Sequence, residues 1–304
     1  MTRDFSDNDV LRALEGGYGI SVRTLEPLGG HAHSFNFRVE TADGTIFVAK
    51  CIPAVNAERF KGLIVHTAQS DNTLAATRIF GGKFVGFGRW KVMALKWIPG
   101  EERGSDELSD AELNAFLAAY AKFLSCLSDD GAILPVRGYL ALKRTLLERL
   151  NGGNAPGIVR ELNDMDDSLL ILAPERRRVI HGDLHKGNFR FDGSAVSGFF
   201  DLEELRFGTP VEDLVRYVVC SEEHRRWYDL RGRRRLLGAF RRILARTFYS
   251  RDEWMFAING YLLRKLARKV KSNRLSVWRR VNLRVRFGFY RALRRVVEKE
   301  VANG

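Results

Sequence analysis

Apolar residues change their spacing close to residue 100, and this change constrains the fold more than any other feature of the chain. Before it, apolar and polar residues alternate in short stretches separated by Gly-containing turns, as in β-strands. After Pro99 and Gly100, apolar residues recur at three- and four-residue spacing, which is typical of helices. A run of strands followed by a run of helices predicts an α+β chain with two parts.

The alternation and the helical spacing divide the chain into short elements. We expect strands at 20–25, 35–40, 45–50, 84–90 and 91–98. We expect helices at 56–69, 108–127, 160–172, 211–219, 233–248, 253–271 and 276–301, with a loop at 151–157. The first part is therefore expected to be a small antiparallel sheet with one helix. We place the domain boundary after residue 97, which gives a first part, 1–97, and a helical part, 98–304.

A polar loop with the sequence HGDLHKGN covers residues 181–188, and a predicted hairpin, 189–200, follows it. The hairpin has two short aromatic or β-branched runs joined by an Asp-Gly pair, which is a strong hairpin signal. Asn188 precedes its first strand and Asp201 follows its second. Because antiparallel pairing brings these two positions to the same end of the hairpin, both side chains should lie within reach of one ion.

Asp183, Asn188 and Asp201 have the chemistry that phosphoryl transfer requires. One carboxylate can orient a hydroxyl nucleophile, while a carboxamide and a second carboxylate can bind Mg²⁺ through oxygen. The alternative is that these residues only cap turns and helices, as Asp and Asn often do. The hairpin between them favours the catalytic interpretation. We therefore predict a catalytic site with Asp183, Asn188 and Asp201, in which Asn188 and Asp201 hold the metal.

Two glycines, Gly29 and Gly30, lie between the first two predicted strands. A Gly-rich turn lets backbone N–H groups approach phosphates, and Ser34 could add a hydroxyl group. The alternative is an ordinary hairpin turn. His31 and His33 on the same loop are expected to be solvated, because two histidines without a third ligand nearby do not make a metal site.

Lys50 ends the third predicted strand, directly after an apolar Val-Ala pair. In this arrangement a lysine ammonium can reach nucleotide phosphates, and the alternative is a solvated lysine at the end of a strand. An acidic residue on the next predicted helix should orient Lys50, and Glu58 is the candidate. Glu58 could instead interact only with the dipole of that helix.

The composition indicates a globular protein from a reducing compartment. Hydrophobic residues make up 45% of the 304 positions, which is enough for a sizeable core. Cys51, Cys126 and Cys220 are far apart and show no CxxC spacing, so the sequence indicates neither a disulfide framework nor a zinc site. We find no export signal and no run of about 18 apolar residues, and we expect a cytoplasmic location.

Positive charge is concentrated in the C-terminal segment. Residues 225–304 contain 24 Lys or Arg and 5 Asp or Glu, whereas the whole chain has a net charge of +13. The last predicted helix is amphipathic, with an apolar stripe and a set of arginines around it. The stripe is Val277, Val281, Val285, Phe289, Leu293 and Val296, and the arginines are Arg279, Arg280, Arg284, Arg291, Arg294 and Arg295. The stripe could pack on other helices with the arginines in water, or the helix could bind an anionic partner.

Several motifs occur in a defined order along the chain. They are the Gly-rich turn, VAK at 48–50, LKWIPGE at 95–101, HGDLHKGN, FFDLE at 199–203 and GTPVEDL at 208–214. Over residues 18–219 this series resembles the aminoglycoside phosphotransferase and choline kinase branch of the protein-kinase-like fold. The resemblance implies a bilobal α+β fold, with a small antiparallel β N-lobe that carries one helix and a larger, mostly helical C-lobe. It also implies ATP and Mg²⁺ as ligands, with residues 1–97 as the nucleotide-binding lobe and the catalytic loop and metal site in residues 98–304.

The resemblance assigns roles to the candidate residues. Asp183 matches the catalytic base, Asn188 and Asp201 match the Mg²⁺ ligands, and Lys50 matches the lysine that holds the α- and β-phosphates. Backbone groups near Leu95 and Trp97 would receive adenine.

Other positions qualify the resemblance. Asp213 matches a position that supports the catalytic loop from the following helix. Asp-Leu-Glu at 201–203 stands where eukaryotic protein kinases have Asp-Phe-Gly. Glu203 could assist metal binding, but we expect it to be an exposed loop residue. No activation segment follows Asp201, so a small molecule or sugar is favoured over a peptide as acceptor.

The basic C-terminal segment favours an anionic acceptor, because it would repel polycationic aminoglycosides and does not suit the choline cation. We expect a hydroxyl-bearing anionic sugar or glycolipid, with the lipopolysaccharide core as the leading example, and peripheral contact with an anionic membrane. One alternative is a kinase for an antibiotic or metabolite. An alternative of another class is a catalytically weak protein that binds membranes or nucleic acid. Nucleic acid is disfavoured, because no RNP, zinc-finger or OB-type signal accompanies the arginines.

Overall fold

The computed structural model describes residues 4–31, 34–57, 74–75, 83–127, 135, 138–220, 229–270 and 275–301. The chain forms two compact units. The first consists of Met1–Glu101, Ala119–Ile133 and Arg190–Glu203, and the second of Glu102–Ala118, Leu134–Phe189 and Glu204–Gly304. The assignment of nucleotide binding to residues 1–97 stays a prediction.

Strands dominate the first hundred residues and helices dominate the rest. In chain order the elements are α1 (Asp7–Tyr18), β1 (Val22–His31), β2 (Ser34–Thr41), β3 (Ile46–Pro53), β4 (Val85–Phe87), β5 (Trp90–Lys96), α2 (Asp110–Ser125), α3 (Tyr139–Leu150), α4 (Pro156–Asn163), β6 (Arg178–Ile180), β7 (Phe189–Asp192), β8 (Ala195–Phe199), β9 (Arg206–Gly208), α5 (Pro210–Cys220), α6 (Leu230–Leu244), α7 (Arg251–Lys269) and α8 (Val277–Val301). This arrangement confirms the predicted α+β fold.

The first unit is built on a five-stranded antiparallel sheet with the strand order β1-β2-β3-β5-β4. Alternate residues of β2 and β3, among them Phe37, Val39, Phe47 and Ala49, bury one face of the sheet. Lys50 points to the other face, where its direct cross-strand neighbour is Met93. The five predicted strands are therefore confirmed, with ends that differ by a few residues.

Helix α1 packs on the buried face of this sheet and was not predicted from the sequence. Ser6 begins it through a capping box with Asp9, and Gly19 ends it in the left-handed conformation. Val10 and Leu14 are fully buried in the same core as the sheet residues. The missed signal is the polar Ser-Asp-Asn-Asp start, which caps a helix with only a few apolar positions. The helix predicted at 56–69 lies outside the described residues from residue 58 onward.

The second unit has a helical core in which α5 is buried along nearly its whole length. Its residues contact α6 and α7, and α7 in turn packs against α3 and α8. Ring contacts join these elements, for example between Phe240 and Trp254 at 5.2 Å and between Tyr139 and Phe256 at 5.0 Å. The ion pair between Arg206 and Glu212 is also fully buried here.

In the second unit one helix was missed and one was predicted with the wrong bounds. Helix α3 was not predicted, and α4 begins at Pro156, inside the predicted loop 151–157, and ends well before residue 172. Pro156 explains the start of α4, because proline fits the first turn of a helix, where no N–H is needed.

The predicted apolar stripe of α8 is also partly wrong. Its buried face follows Leu283, Phe287, Tyr290, Leu293 and Val297, whereas Val281 is 42% exposed. Helix α8 carries two apolar stripes, and the one that starts at Leu283 packs on α7. The alternative in which the last helix packs on the helical part is therefore confirmed.

Candidate active site

The loop that carries Asp183 has a backbone that only glycine permits at Gly182. Gly182 has a φ of 80°, and a Cβ at this position would lie 1.9 Å from the carbonyl oxygen of Glu204. Its N–H donates a hydrogen bond to Asp213 Oδ1 at 2.9 Å. Asp213 is fully buried on α5 and thus supports the loop from the following helix, as the sequence predicted.

Asp183 and Asn188 lie together at the two ends of this loop. Asn188 Nδ2 donates to the backbone oxygen of Asp183 at 3.0 Å and lies 3.5 Å from its carboxylate. The backbone N–H of Asp183 donates to His181 Nδ1 at 3.3 Å. His185 Nδ1 accepts a hydrogen bond from the N–H of Gly187, and its Nε2 lies 3.5 Å from Asp183 Oδ2. This network fixes the Asp183 side chain and leaves the carboxamide oxygen of Asn188 as the atom of that side chain suited to a metal ion. That Asn188 binds Mg²⁺ stays a prediction.

Arg216 of α5 forms an ion pair with the Asp183 carboxylate. Burial acts to raise the pKa of Asp183, but the hydrogen bond to His185 and the positive charge of Arg216 outweigh it, and the pKa is lowered to about 2. Asp183 is therefore ionised at neutral pH. The sequence analysis missed Arg216, and the available signal was a charged residue within the apolar run of α5.

In the first unit, Lys50 forms a second charged cluster. Lys50 Nζ donates to Asp201 Oδ1 at 2.7 Å and also pairs with Glu203. The side chain of Lys50 is only 6% exposed, and burial acts to lower its pKa. The charges of Asp201 and Glu203 raise it more, so Lys50 remains protonated. The structure thus joins two predicted site residues, Lys50 and Asp201.

Glu203 differs from its expected role as an exposed loop residue. Its side chain is 31% exposed and pairs with Lys50. Burial raises the pKa of Glu203, and the negative charge of Asp201 adds to this effect although Lys50 opposes it. Glu58, the predicted partner of Lys50, lies outside the described residues. Within the described part of the chain, Glu203 and Asp201 are the carboxylates that pair with Lys50.

Asp201 has a positive φ of 61° and is the non-glycine residue of the described chain with such a backbone. Asp tolerates this conformation better than most residues, and strained backbone of this kind is often found at functional sites. Asp201 follows β8 by two residues, and Asn188 directly precedes β7. Strands β7 and β8 pair as the predicted hairpin, with Gly193 in the left-handed conformation at its turn. That Asn188 and Asp201 share one metal ion stays a prediction.

Gly29 and Gly30 lie within β1 and not in the turn after it, which corrects the prediction. They pair with Asn36 and Phe35 of β2, and a register shift occurs just before them. The ladder continues to His31 opposite Ser34. Residues 32–33, which include His33, lie outside the described part. Glycines in a strand permit close approach of another group to the backbone, and phosphate binding by Gly29, Gly30 and Ser34 stays a prediction.

The segment predicted to receive adenine forms the end of β5. Leu95 pairs with Val48 of β3, and Trp97 follows directly after the strand. The guanidinium of Arg38 lies 5.9 Å from the centre of a Trp97 ring, which is a cation–π distance. Contact between adenine and the backbone near Leu95 and Trp97 stays a prediction.

No helix in the described part of the chain combines the length and the apolar composition that a membrane span needs. Comparison with known proteins gave two findings. The sequence model of a phosphotransferase enzyme family matches residues 24–249. A search of curated proteins gave no significant match.

Among solved structures, the chain resembles several antibiotic phosphotransferases at low sequence identity. An aminoglycoside phosphotransferase from Streptomyces rimosus is 20% identical, with a TM-score of 0.53 over 85% of this chain and 99% of that one. The aminoglycoside 2'-phosphotransferase-IIIa, solved with GDP, is 14% identical, with a TM-score of 0.62 over 98% and 99%. A macrolide 2'-phosphotransferase from Brachybacterium faecium is 14% identical, with a TM-score of 0.60 over 96% and 97%. These similarities show the kinase-like fold.

Proposed function

We propose that this chain, which belongs to the phosphotransferase enzyme family, transfers the γ-phosphate of ATP to a hydroxyl group of a sugar or glycolipid. The main observation in support is the Asp183 carboxylate, which is ionised and held beside Asn188 on one loop. Asp183 would accept a hydrogen bond from the acceptor hydroxyl and align it for attack. With a pKa of about 2, its principal contribution is positioning rather than early removal of the proton.

The side chains in hand suit Mg²⁺. The Asn188 amide nitrogen is engaged by Asp183, so its carboxamide presents oxygen, and Asp201 adds a carboxylate; both are ligand types that Mg²⁺ prefers. When bound, Mg²⁺ supplies positive charge to the phosphate oxygens. Lys50 would bind the phosphates of the same nucleotide, because its ammonium group is buried and its raised pKa keeps it protonated. Its partners Asp201 and Glu203 keep it oriented in the absence of nucleotide.

The nature of the acceptor is the finer part of this proposal. The solved relatives include enzymes in complex with streptomycin and with kanamycin, which supports a small-molecule kinase as the second candidate. The positive charge of residues 225–304 opposes binding of such polycationic antibiotics and supports an anionic sugar or glycolipid, for which the lipopolysaccharide core is our example. A catalytically weak binding protein is less well supported, because both charged clusters are intact.

Contact with an anionic membrane is a further part of the proposal. Arginines such as Arg234, Arg235 and Arg295 are exposed on α6 and α8. Each basic residue near an anionic surface contributes about 1 kcal/mol of attraction. The enzyme could therefore meet a glycolipid acceptor at the inner face of a membrane without a spanning helix.

The proposed reaction is tested by ATP consumption with a panel of acceptors. The panel contains core-oligosaccharide extracts, sugars, sugar phosphates and an aminoglycoside, each assayed with Mg²⁺. We expect Asp183→Asn to lower turnover with the active acceptor by roughly 10²–10⁴-fold, because the positioning carboxylate is lost. Nucleotide affinity, measured by calorimetry, should change little. Full activity of Asp183→Asn would contradict the role of Asp183, and activity with the aminoglycoside alone would favour the second candidate.

A further inference from the structure

Three basic side chains form a strip that leads from the surface of the helical unit towards Asp183. We call Arg216, Lys265 and Arg268 the cationic strip. Arg216 is 8% exposed and pairs with the Asp183 carboxylate, Lys265 is half-buried, and Arg268 is exposed. Exposure thus increases from Arg216, which contacts the catalytic loop, through Lys265 to Arg268.

Helices α5 and α7, which carry the strip, pack against each other, and Cys220 and Tyr261 meet where they face. Cys220 lies one turn after Arg216 on α5, and Tyr261 lies one turn before Lys265 on α7. Cys220 Sγ and the Tyr261 hydroxyl are 2.9 Å apart, and Lys265 Nζ lies 5.2 Å from the centre of the Tyr261 ring. The two faces are therefore fixed against each other, with their basic residues on the same side.

The strip carries more positive charge than its surroundings neutralise. Asp183 pairs with Arg216, but among the described residues no carboxylate forms an ion pair with Lys265 or Arg268. Arg216 Nε is buried and has no hydrogen-bond partner among these residues. Burial lowers the pKa of Lys265, and repulsion by Arg216, Arg268 and Arg286 lowers it further, although the nearby Cys220 opposes this. An incoming anion would relieve this repulsion.

We propose that Arg216, Lys265 and Arg268 form a subsite for a phosphate group that the acceptor already carries. The three cations and Asp183, the carboxylate that forms an ion pair with them among the described residues, leave a surplus of two positive charges, which matches a phosphate monoester. Arginine and lysine are the side chains that bind phosphate best, by forked and by point-charge contacts. This inference rests on the proposed function and makes the acceptor a phosphorylated sugar or glycolipid, whose hydroxyl group reaches Asp183 when its phosphate occupies the strip.

Inorganic phosphate is the probe for this subsite. It is titrated by calorimetry into the full-length protein with Mg²⁺ and saturating ADP, so that the nucleotide phosphates do not compete. We expect Lys265→Gln/Arg268→Gln to weaken phosphate binding by about tenfold or more, since two charged contacts are lost. Arg144→Gln/Arg149→Gln removes the same charge from exposed positions of α3 and should alter binding by less than about twofold. Lys265→Arg should retain binding.

Several results would overturn the proposal. One is that the unaltered protein shows no saturable phosphate binding. Another is that both double variants lose phosphate binding equally. A third is that Lys50→Met loses phosphate binding while Lys265→Gln/Arg268→Gln does not. A further one is that the strip variant loses binding only to vesicles containing phosphatidylglycerol, which would assign these residues to a membrane surface. A thermal melt of each variant controls for unfolding, and Arg268→Gln alone serves if the double variant is unstable. Because no turnover is needed, this test is independent of the acceptor panel, whose failure would count against the proposed function instead.

Discussion

At the scale of single residues, each predicted catalytic carboxylate has a basic partner that is distant in sequence. Arg216 holds Asp183, and Lys50 holds Asp201 together with Glu203. Opposite charges at short distance favour the ionised forms of both partners, and burial strengthens the interaction. Each of these charged groups is therefore held by contacts within its own unit.

We predict that Lys50→Met weakens binding of ADP with Mg²⁺ by about tenfold or more. The variant loses charged contacts to phosphate, each of which contributes about 1.5–3 kcal/mol, and leaves Asp201 and Glu203 to repel the nucleotide. Calorimetry with the unaltered protein as reference measures this effect. Lys91→Met, a change of the same type on β5, should bind ADP normally. An unchanged affinity in Lys50→Met would show that Lys50 does not contact phosphate.

The sequence made Asp183, Asn188, Lys50 and Asp201 candidates because each occupies a recognisable place relative to a turn or a strand end, and their roles in catalysis stay predictions. It did not identify Arg216 or the role of Glu203. Lys50 and Glu203 are 153 positions apart, and their pairing results from tertiary packing, on which local patterns carry no information. A charged side chain inside an apolar helix indicates burial with a partner but does not tell which partner it is.

At the scale of elements, Gly182 connects the catalytic loop to α5 through its hydrogen bond to Asp213. We predict that Gly182→Ala destabilises the protein by about 3 kcal/mol or more, because a Cβ would meet the Glu204 carbonyl in addition to the cost of positive φ. Gly152 also has a positive φ but has open space around its Cβ position, so Gly152→Ala should cost only about 1–2 kcal/mol. Urea unfolding measures both. Equal losses would mean that the close approach to Glu204 is unimportant.

Elements with strong local signals were predicted well, and those with weak signals were not. The Asp-Gly turn specified the hairpin of β7 and β8, and the box formed by Ser109 and Glu112 specified the start of α2. Helix α1 has few apolar positions among its polar residues. Helix α3 has no capping side chain at its start and places Lys143 on its buried face, which interrupts the apolar period. The shift that places Gly29 and Gly30 inside β1 depends on pairing with β2, which sequence alone does not show.

At the scale of the whole molecule, the stability of the helical unit depends on the buried carboxylate of Glu212. Arg206 Nη2 donates to it at 2.8 Å, and the Tyr139 hydroxyl also donates to it. We predict that Glu212→Gln lowers the free energy of unfolding by about 3–5 kcal/mol at pH 7, because Arg206 would remain buried without a counter-charge. Glu298→Gln, on the exposed face of α8, should change it by less than about 0.5 kcal/mol.

The stability difference between the unaltered protein and Glu212→Gln should depend on pH. Burial acts to raise the pKa of Glu212, but Arg206 and Arg264 outweigh it, so the pKa in the folded protein lies below its usual value of 4.5. The stabilisation by this carboxylate is therefore complete above that value and is lost as the pH falls through the folded-state pKa. Urea unfolding at pH 7 and near pH 3.5 should show a smaller difference between the unaltered protein and Glu212→Gln at the lower pH. A difference that stays constant would contradict this assignment.

The α+β organisation followed from the change of apolar period, but the composition of the two units did not. Residues 119–133 and 190–203 belong to the first unit although they follow the start of the helical region. The apolar positions of a segment predict that it is buried but do not tell which core it joins.

The difference in exposure between the inner and outer faces of α7 has a consequence for how this enzyme could be adapted. Tyr261 and Arg264 are packed in the interior, whereas Lys265 and Arg268 approach solvent. Directed evolution towards new acceptors should therefore find its tolerated mutations at the outer positions, since changes there would retune charge without collapsing the scaffold. Natural paralogues that act on neutral compounds would be expected to diverge first at these same two sites.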